Sequence, residues 1–192
     1  MTKNELRREM KRRNLSLTAG ERAKKSRRIF SRVERLPAFA AARTVAFFCA
    51  LGDEPETLPA LERWRGLGKR IVVPRVEGER MAFFEYISET LCAGAFGICE
   101  PGAGAGLCSP AEIDFVVVPG TAFSPQGARM GRGRGYYDSY LSQREFRGVK
   151  VGVCYAHQLV ETLPVEPHDV AMDCVVTECA TYVLGQDASS PR

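Results

Sequence analysis

Apolar residues along this chain follow two different spacings. Near the N-terminus Leu6 and Met10 recur four positions apart among charged residues, which predicts a short amphipathic helix from residue 3 to about residue 13 with a narrow buried stripe. Thr18 and Glu21 have the spacing of a capping box and start a second helix that buries Ala23, Ser26, Phe30 and Val33 and ends at Pro37. The pattern then changes to continuous apolar runs of strand length at residues 44–50, 70–73, 115–118, 149–155 and 174–176, with a further strand at 81–87. Helices fall between them, one ending near Trp64 and one over residues 136–144. Between Cys92 and Pro110 five glycines predict a flexible connection.

Runs that are apolar on both sides fit strands covered on both faces. Their alternation with helices predicts a three-layer α/β fold, a mostly parallel sheet covered by helices on both faces. In such sheets ligands bind at the carboxyl ends of the strands, so the segments 52–56, 120–135 and 156–158 should converge on one end. One domain over residues 1–184 is expected, followed by a polar, disordered tail at 185–192.

Composition narrows the class. At 192 residues and 45% hydrophobic, the chain suits one well-developed core. It has no bilayer-length apolar run and no secretory signal, so a soluble cytoplasmic protein without a membrane partner is expected. Seven cysteines with no Cys-x-x-Cys pair read as reduced thiols rather than a disulfide frame or a zinc site. The net charge of +4 is unevenly spread, with eleven Lys/Arg against three acids in residues 1–30 and sixteen against twenty in the rest. A basic arm of this kind could bind nucleic acid, serve as a transit peptide, form a solvated helix face or lie over an anionic ligand. Glu5, Glu9 and Glu21 argue against the transit peptide.

The densest chemistry lies at residues 129–138, Arg-Met-Gly-Arg-Gly-Arg-Gly-Tyr-Tyr-Asp, between an apolar strand and a helix start. Gly131, Gly133 and Gly135 let the backbone turn and aim N–H groups at an anion, and the helix start adds unpaired N–H groups. Arg129, Arg132 and Arg134 carry planar guanidinium groups that grip phosphate oxygens bidentately. The segment has neither the Lys-Ser/Thr ending of a P-loop nor the glycine spacing of a dinucleotide fingerprint. On composition alone it fits a flexible loop with solvated arginines equally well.

Pro119-Gly120-Thr121-Ala122-Phe123, Gly127, Arg129-Met130-Gly131, Gly133, Gly135-Tyr136-Tyr137-Asp138 and Leu141 closely resemble the signature of the 5-formyltetrahydrofolate cyclo-ligase family. Residues 3–7, 53–57, 73–75, Gly97-Ile98 with Glu100-Pro101, and His168-Asp169 with Asp173 agree in order, so the similarity spans nearly the whole chain. Ser124 and Met130 depart from residues common in the family, and neither removes a phosphate ligand.

The resemblance implies ATP- and Mg²⁺-dependent closure of 5-formyltetrahydrofolate to 5,10-methenyltetrahydrofolate, with small-molecule substrates and no nucleic-acid partner. It implies ATP binding by Lys3, Arg7, Arg129, Met130, Gly131, Arg132, Gly133, Arg134, Gly135, Tyr136 and Tyr137. Arg132 would act on the transferring phosphate. Leu51 and Glu56 would bind folate together with Arg132, Gly133, Arg134, Gly135 and Tyr136, and Asp138 and Asp173 would hold Mg²⁺. Tyr136 and Tyr137 could stack on a ring or form the buried face of the helix. A non-catalytic RNA-binding module and a divergent relative with another substrate are the competing readings. The single Gly-Arg element, set inside a structured junction, argues against the first.

Overall fold

A computed structural model describes residues 2–87, 92–93, 99–102 and 104–184. Two helices open the chain, α1 (Lys3–Leu15) and α2 (Ala19–Val33), and each begins with a capping box, Thr2 with Glu5 and Thr18 with Glu21. Pro37 does not simply end α2. It stands in the first turn of a short helix α3 (Pro37–Ala41), where its missing N–H costs nothing.

An eight-stranded sheet follows, built from β1 (Thr44–Ala46), β2 (Arg70–Glu77), β3 (Arg80–Glu85), β6 (Leu107–Cys108), β7 (Phe115–Pro119), β10 (Val149–Val153), β11 (Cys174–Val176) and β12 (Thr181–Val183). Its order is β12-β11-β10-β7-β1-β2-β3-β6. The five central strands pair in parallel, with Val45 registered against Ile71 on one side and Phe115 on the other. Only the flanks are antiparallel, formed by β12 at one edge and β3 and β6 at the other. Two small ribbons complete the strands, β4 (Cys92–Ala93) with β5 (Cys99–Glu100) and β8 (Ala122–Phe123) with β9 (Arg129–Met130).

Alternate residues of the central strands enter different layers, as a period of two requires. Val117 packs with Phe30, Val33, Phe47 and Trp64 beneath α2, α3 and helix α4 (Leu58–Gly66). Val116 and Val118 face Phe83, Phe123, Tyr140 and Leu141 beneath helix α5 (Tyr136–Leu141). Trp64 is fully buried against the rings of Phe39 and Phe47, at 4.5 and 4.7 Å, and its indole N–H donates to Glu34. These are the three layers that the apolar runs predict.

The run at 44–50 pairs as strand over only three residues. After one more bond, from Phe47 N–H to the Val72 carbonyl, the chain leaves the ladder, and Ala50 and Leu51 donate instead to the side chains of Thr57 and Glu54. The helix at 136–144 closes at Leu141, and the connection at 92–110 contains the edge strand β6. Gly94, Gly97 and the tail at 185–192 lie outside the described residues. Among the described residues no helix is long and apolar enough to cross a membrane.

Candidate active site

Beyond the carboxyl ends of β1 and β7 lies a cavity of about 800 Å³. The β8–β9 hairpin, registered Ala122 to Met130 and Phe123 to Arg129, folds the chain back so that residues 129–135 border this end of the sheet. Gly133 and Gly135 have φ of 99° and 69°, a left-handed conformation that a Cβ disfavours, and Gly135 is the residue from which α5 starts. With six residues, α5 contributes little dipole, so the positive charge here comes from side chains.

Helix α1 supplies two of those side chains. Met10 is buried against Ala122 and Met130, which docks the helix on the hairpin and points Lys3 and Arg7 into the lining. Arg7 Nε donates to the Gly131 carbonyl at 3.0 Å. Lys3 Nζ lies 2.7 Å from Glu166 and 3.9 Å from Asp169. Part of the remaining N-terminal charge is paired within the protein, Arg12 and Arg13 with Glu9 and Lys25 with Glu178.

The three arginines of the loop are placed differently. Arg129 is buried and braced, with Nη1 on the Pro119 carbonyl at 3.2 Å and Nη2 on Asp138 Oδ2 at 2.7 Å, so it stiffens the loop that it was expected to offer to ATP. Arg132 reaches across to the segment after β1, where Nη2 lies 2.7 Å from Asp53 Oδ1 and 2.9 Å from Glu54 Oε1 and Nε lies 3.0 Å from Glu54 Oε1. Arg134 is exposed in the lining. Tyr136 and Tyr137 both line the cavity, and Tyr137 also packs in the core. The Tyr137 hydroxyl is buried without a hydrogen-bond partner among the described residues, and burial raises its pKa, leaving a protonated donor.

The rest of the lining is largely apolar: Phe48, Cys49 and Leu51 after β1, and Pro74, Val76 and Met81 from β2 and β3. Two carboxylates line this side, the half-buried Glu100 of β5 and the buried Glu54, whose side chain is 8% exposed. Burial pushes the Glu54 carboxyl above the usual range, against the pull of Arg132.

Two residues expected in the site lie outside the cavity lining. Glu56 is turned toward α2, its N–H donating to Ser26 Oγ at 2.9 Å and its carboxylate 3.9 Å from Arg22. Leu51 lines the cavity as expected, and the acid beside it is Glu54. Asp173 stands before β11, at the amino end of the parallel strands, where its carboxylate accepts from the Lys150 N–H at 2.7 Å and pairs with Lys150 Nζ at 2.8 Å. The acids that join Asp138 in this part of the lining are Asp169 and Glu166, the latter paired with Lys3. Asp138 Oδ1 accepts from the Val170 N–H at 3.2 Å, which ties the two aspartates together through one peptide unit.

Among the described residues no group of three or more His, Cys, Asp or Glu could hold a metal alone. Magnesium needs less, because it keeps waters and shares phosphate oxygens with one or two carboxylates. Asp138 and Asp169, beside the basic loop, fit that donor set, whereas Asp138 and Asp173 do not.

A parallel sheet with a basic glycine loop at its carboxyl end, facing an apolar surface that carries one buried acid, defines an α/β protein whose cavity is suited to a polyphosphate next to a second ligand. The sequence model of the 5-formyltetrahydrofolate cyclo-ligase family matches residues 1–178, and the chain belongs to that family. A 5-formyltetrahydrofolate cyclo-ligase of Escherichia coli K12 is 30% identical over 175 residues, covering 88% of this chain and 96% of its own. One from Mycolicibacterium smegmatis is 33% identical over 145 residues, covering 70% and 73%. The solved structure of 5,10-methenyltetrahydrofolate synthetase from Aquifex aeolicus superposes with a TM-score of 0.86 at 34% identity, covering 100% of this chain and 97% of its own.

Proposed function

We propose that this protein closes 5-formyltetrahydrofolate to 5,10-methenyltetrahydrofolate at the expense of ATP, releasing ADP and phosphate. The carrying observation is that one cavity joins the basic loop to an apolar surface with a buried carboxylate, so a triphosphate and a flat ring system can lie against each other. A formamide oxygen is a poor leaving group. If it attacks the γ-phosphorus, ADP departs and the formyl carbon becomes an imidate phosphate. N10 then adds to that carbon and gives up its proton to the departing phosphate or to water, and phosphate leaves with the former formyl oxygen. No protein nucleophile is needed, so the residues act by position and charge.

In this reading Lys3, Arg7, Arg134 and the N–H groups of residues 131–135 bind the triphosphate, and Arg132 meets the transferring phosphoryl group. Arg129 keeps the loop in shape. Leu51 and the neighbouring apolar side chains form a wall for the pterin, and Glu54 accepts from its paired N–H donors. Asp138 and Asp169 would hold magnesium, which supplies neutralisation of phosphate charge. The half-buried Cys49 is a wall residue without a chemical step. The cytoplasm is the compartment this reading implies, since buried Cys108, Cys154 and Cys174 are free thiols. Formation of the methenyl product from 5-formyltetrahydrofolate and MgATP tests the reading.

The assignment of the folate acid has its own test. Glu54→Gln should raise the KM for 5-formyltetrahydrofolate by about tenfold to a hundredfold, as loss of a charged acceptor facing buried donors implies, with a far smaller effect on ATP. Glu56→Gln should leave both within about twofold, because its carboxylate lies outside the cavity. Since burial raises the Glu54 pKa, kcat/KM for the folate should fall as pH drops through that raised value, and Glu54→Gln should lack this acid limb. Reversed behaviour of the two variants returns the folate contact to Glu56.

A further inference from the structure

Arg132 stands between two cavities. The large one holds Glu54, and a second of about 120 Å³ lies behind, bordered by Lys11, Asn14, Asp53, Thr121 and Gln158. Its two carboxylate partners therefore differ in position, Glu54 facing the substrates and Asp53 facing the rear. The backbone beneath both acids is pinned. Asn14, 4% exposed near the end of α1, donates from Nδ2 to the Asp53 carbonyl at 2.9 Å, and the Tyr155 hydroxyl donates to the Glu54 carbonyl at 3.1 Å. Asn14 Oδ1 is in turn held by His157 Nε2. With Oδ1 as the acceptor, Nε2 carries the hydrogen, and burial lowers the His157 pKa so that the ring is neutral. With the peptide units fixed, it is the side chains that can change partners.

We propose that Asp53 is a positioning residue that keeps Arg132 aimed at the phosphoryl group when Glu54 exchanges the guanidinium for the folate ring. Glu54 Oε1 cannot serve both Arg132 and the pterin donors at full strength. When the ring arrives, Arg132 gives up its bonds from Nε and Nη2 to Glu54 and retains the 2.7 Å bond from Nη2 to Asp53. Nε and the second Nη2 hydrogen are thereby released and, with the Nη1 hydrogens, can reach phosphate oxygens. Without Asp53, nothing on this segment would hold the guanidinium at that moment. The inference rests on the assignment of Glu54 to the folate and Arg132 to the phosphate, and it adds a division of labour between two adjacent acids.

A double-mutant cycle in the full-length protein tests it. Asp53→Ala should lower kcat about thirtyfold with both KM values within about threefold, and Asp53→Asn, which keeps an acceptor, should lose only about fivefold. In an Arg132→Ala background, Asp53→Ala should change kcat by less than about twofold, because the residue it positions is gone. If Asp53→Ala does not fold, Asp53→Asn carries the same cycle, with denaturant midpoints measured for each variant. An undiminished Asp53 effect in the Arg132→Ala background, or an unchanged kcat with Arg132 present, overturns the proposal and leaves the site assignment standing. An Arg132→Ala variant with unchanged kcat removes the site assignment itself, and the proposal with it.

Discussion

Arg132→Ala should lower kcat by about a hundredfold or more while the KM values for ATP and 5-formyltetrahydrofolate move only severalfold, the size of loss seen when one donor to a developing anion is removed. The side chain already spans the gap between the glycine loop and the segment after β1, so its removal takes charge from the place where the proposed function brings the two substrates together. Arg132→Lys separates charge from shape. It retains a positive group but cannot bridge two oxygens in one plane, so it should fall between wild type and alanine. Removing the cation also leaves the Glu54 carboxylate, 8% exposed and already penalised by burial, without the guanidinium that offsets that burial. Thermal unfolding of each variant distinguishes this from a failure to fold. Equal kcat for all three proteins would reduce Arg132 to a surface clamp.

The second large effect is expected at Asp138. Its pair with Arg129 is shielded, with side-chain exposures of 15% and 4%, and Asp138→Ala would strand a buried guanidinium. Loss of one partner from such a pair destabilises by about 3 kcal/mol, read as a shift in urea midpoint at constant slope. Asp169→Asn should have almost no such cost, because its ion-pair partners among the described residues, Lys3 and His168, are 27% and 71% exposed. It should instead lower turnover at limiting Mg²⁺ and recover on raising the ion concentration. Asp173→Asn should leave the Mg²⁺ dependence unchanged, since its partner is Lys150. A shifted Mg²⁺ requirement in Asp173→Asn and none in Asp169→Asn would reverse the assignment of the second carboxylate.

These contrasts show which parts of the molecule were legible in the amino-acid order. The parallel core was, because residues such as Val116 to Val118 are apolar on both sides and only a covered strand accommodates that. The loop's place between a strand and a helix start was also readable, whereas its composition alone fitted a flexible loop with solvated arginines equally well. Acids on flexible connections were not. Glu54 and Glu56 lie two positions apart in the same turn, and only the bond of Leu51 to the Glu54 carboxylate and the approach of Arg22 to that of Glu56 decide which lines the cavity. Asp169 and Asp173 flank another turn, and one of them is claimed by Lys150 across the parallel strands, a pairing with no local signature. Asn14 reads as an ordinary polar residue near a helix end, and its buried link to the Asp53 carbonyl exists only once α1 has docked. The two-residue strand β6 was missed because so short a segment has no period to detect.

The central claim, that phosphoryl transfer from ATP activates the formyl oxygen for ring closure, is tested most directly by following the methenyl chromophore and ADP together in one reaction of purified protein with 5-formyltetrahydrofolate and MgATP. One methenyl product should form for each ADP, and neither should accumulate when the folate or ATP is omitted. Methenyl formation without ATP, or ADP formation at full rate without the folate, would contradict it.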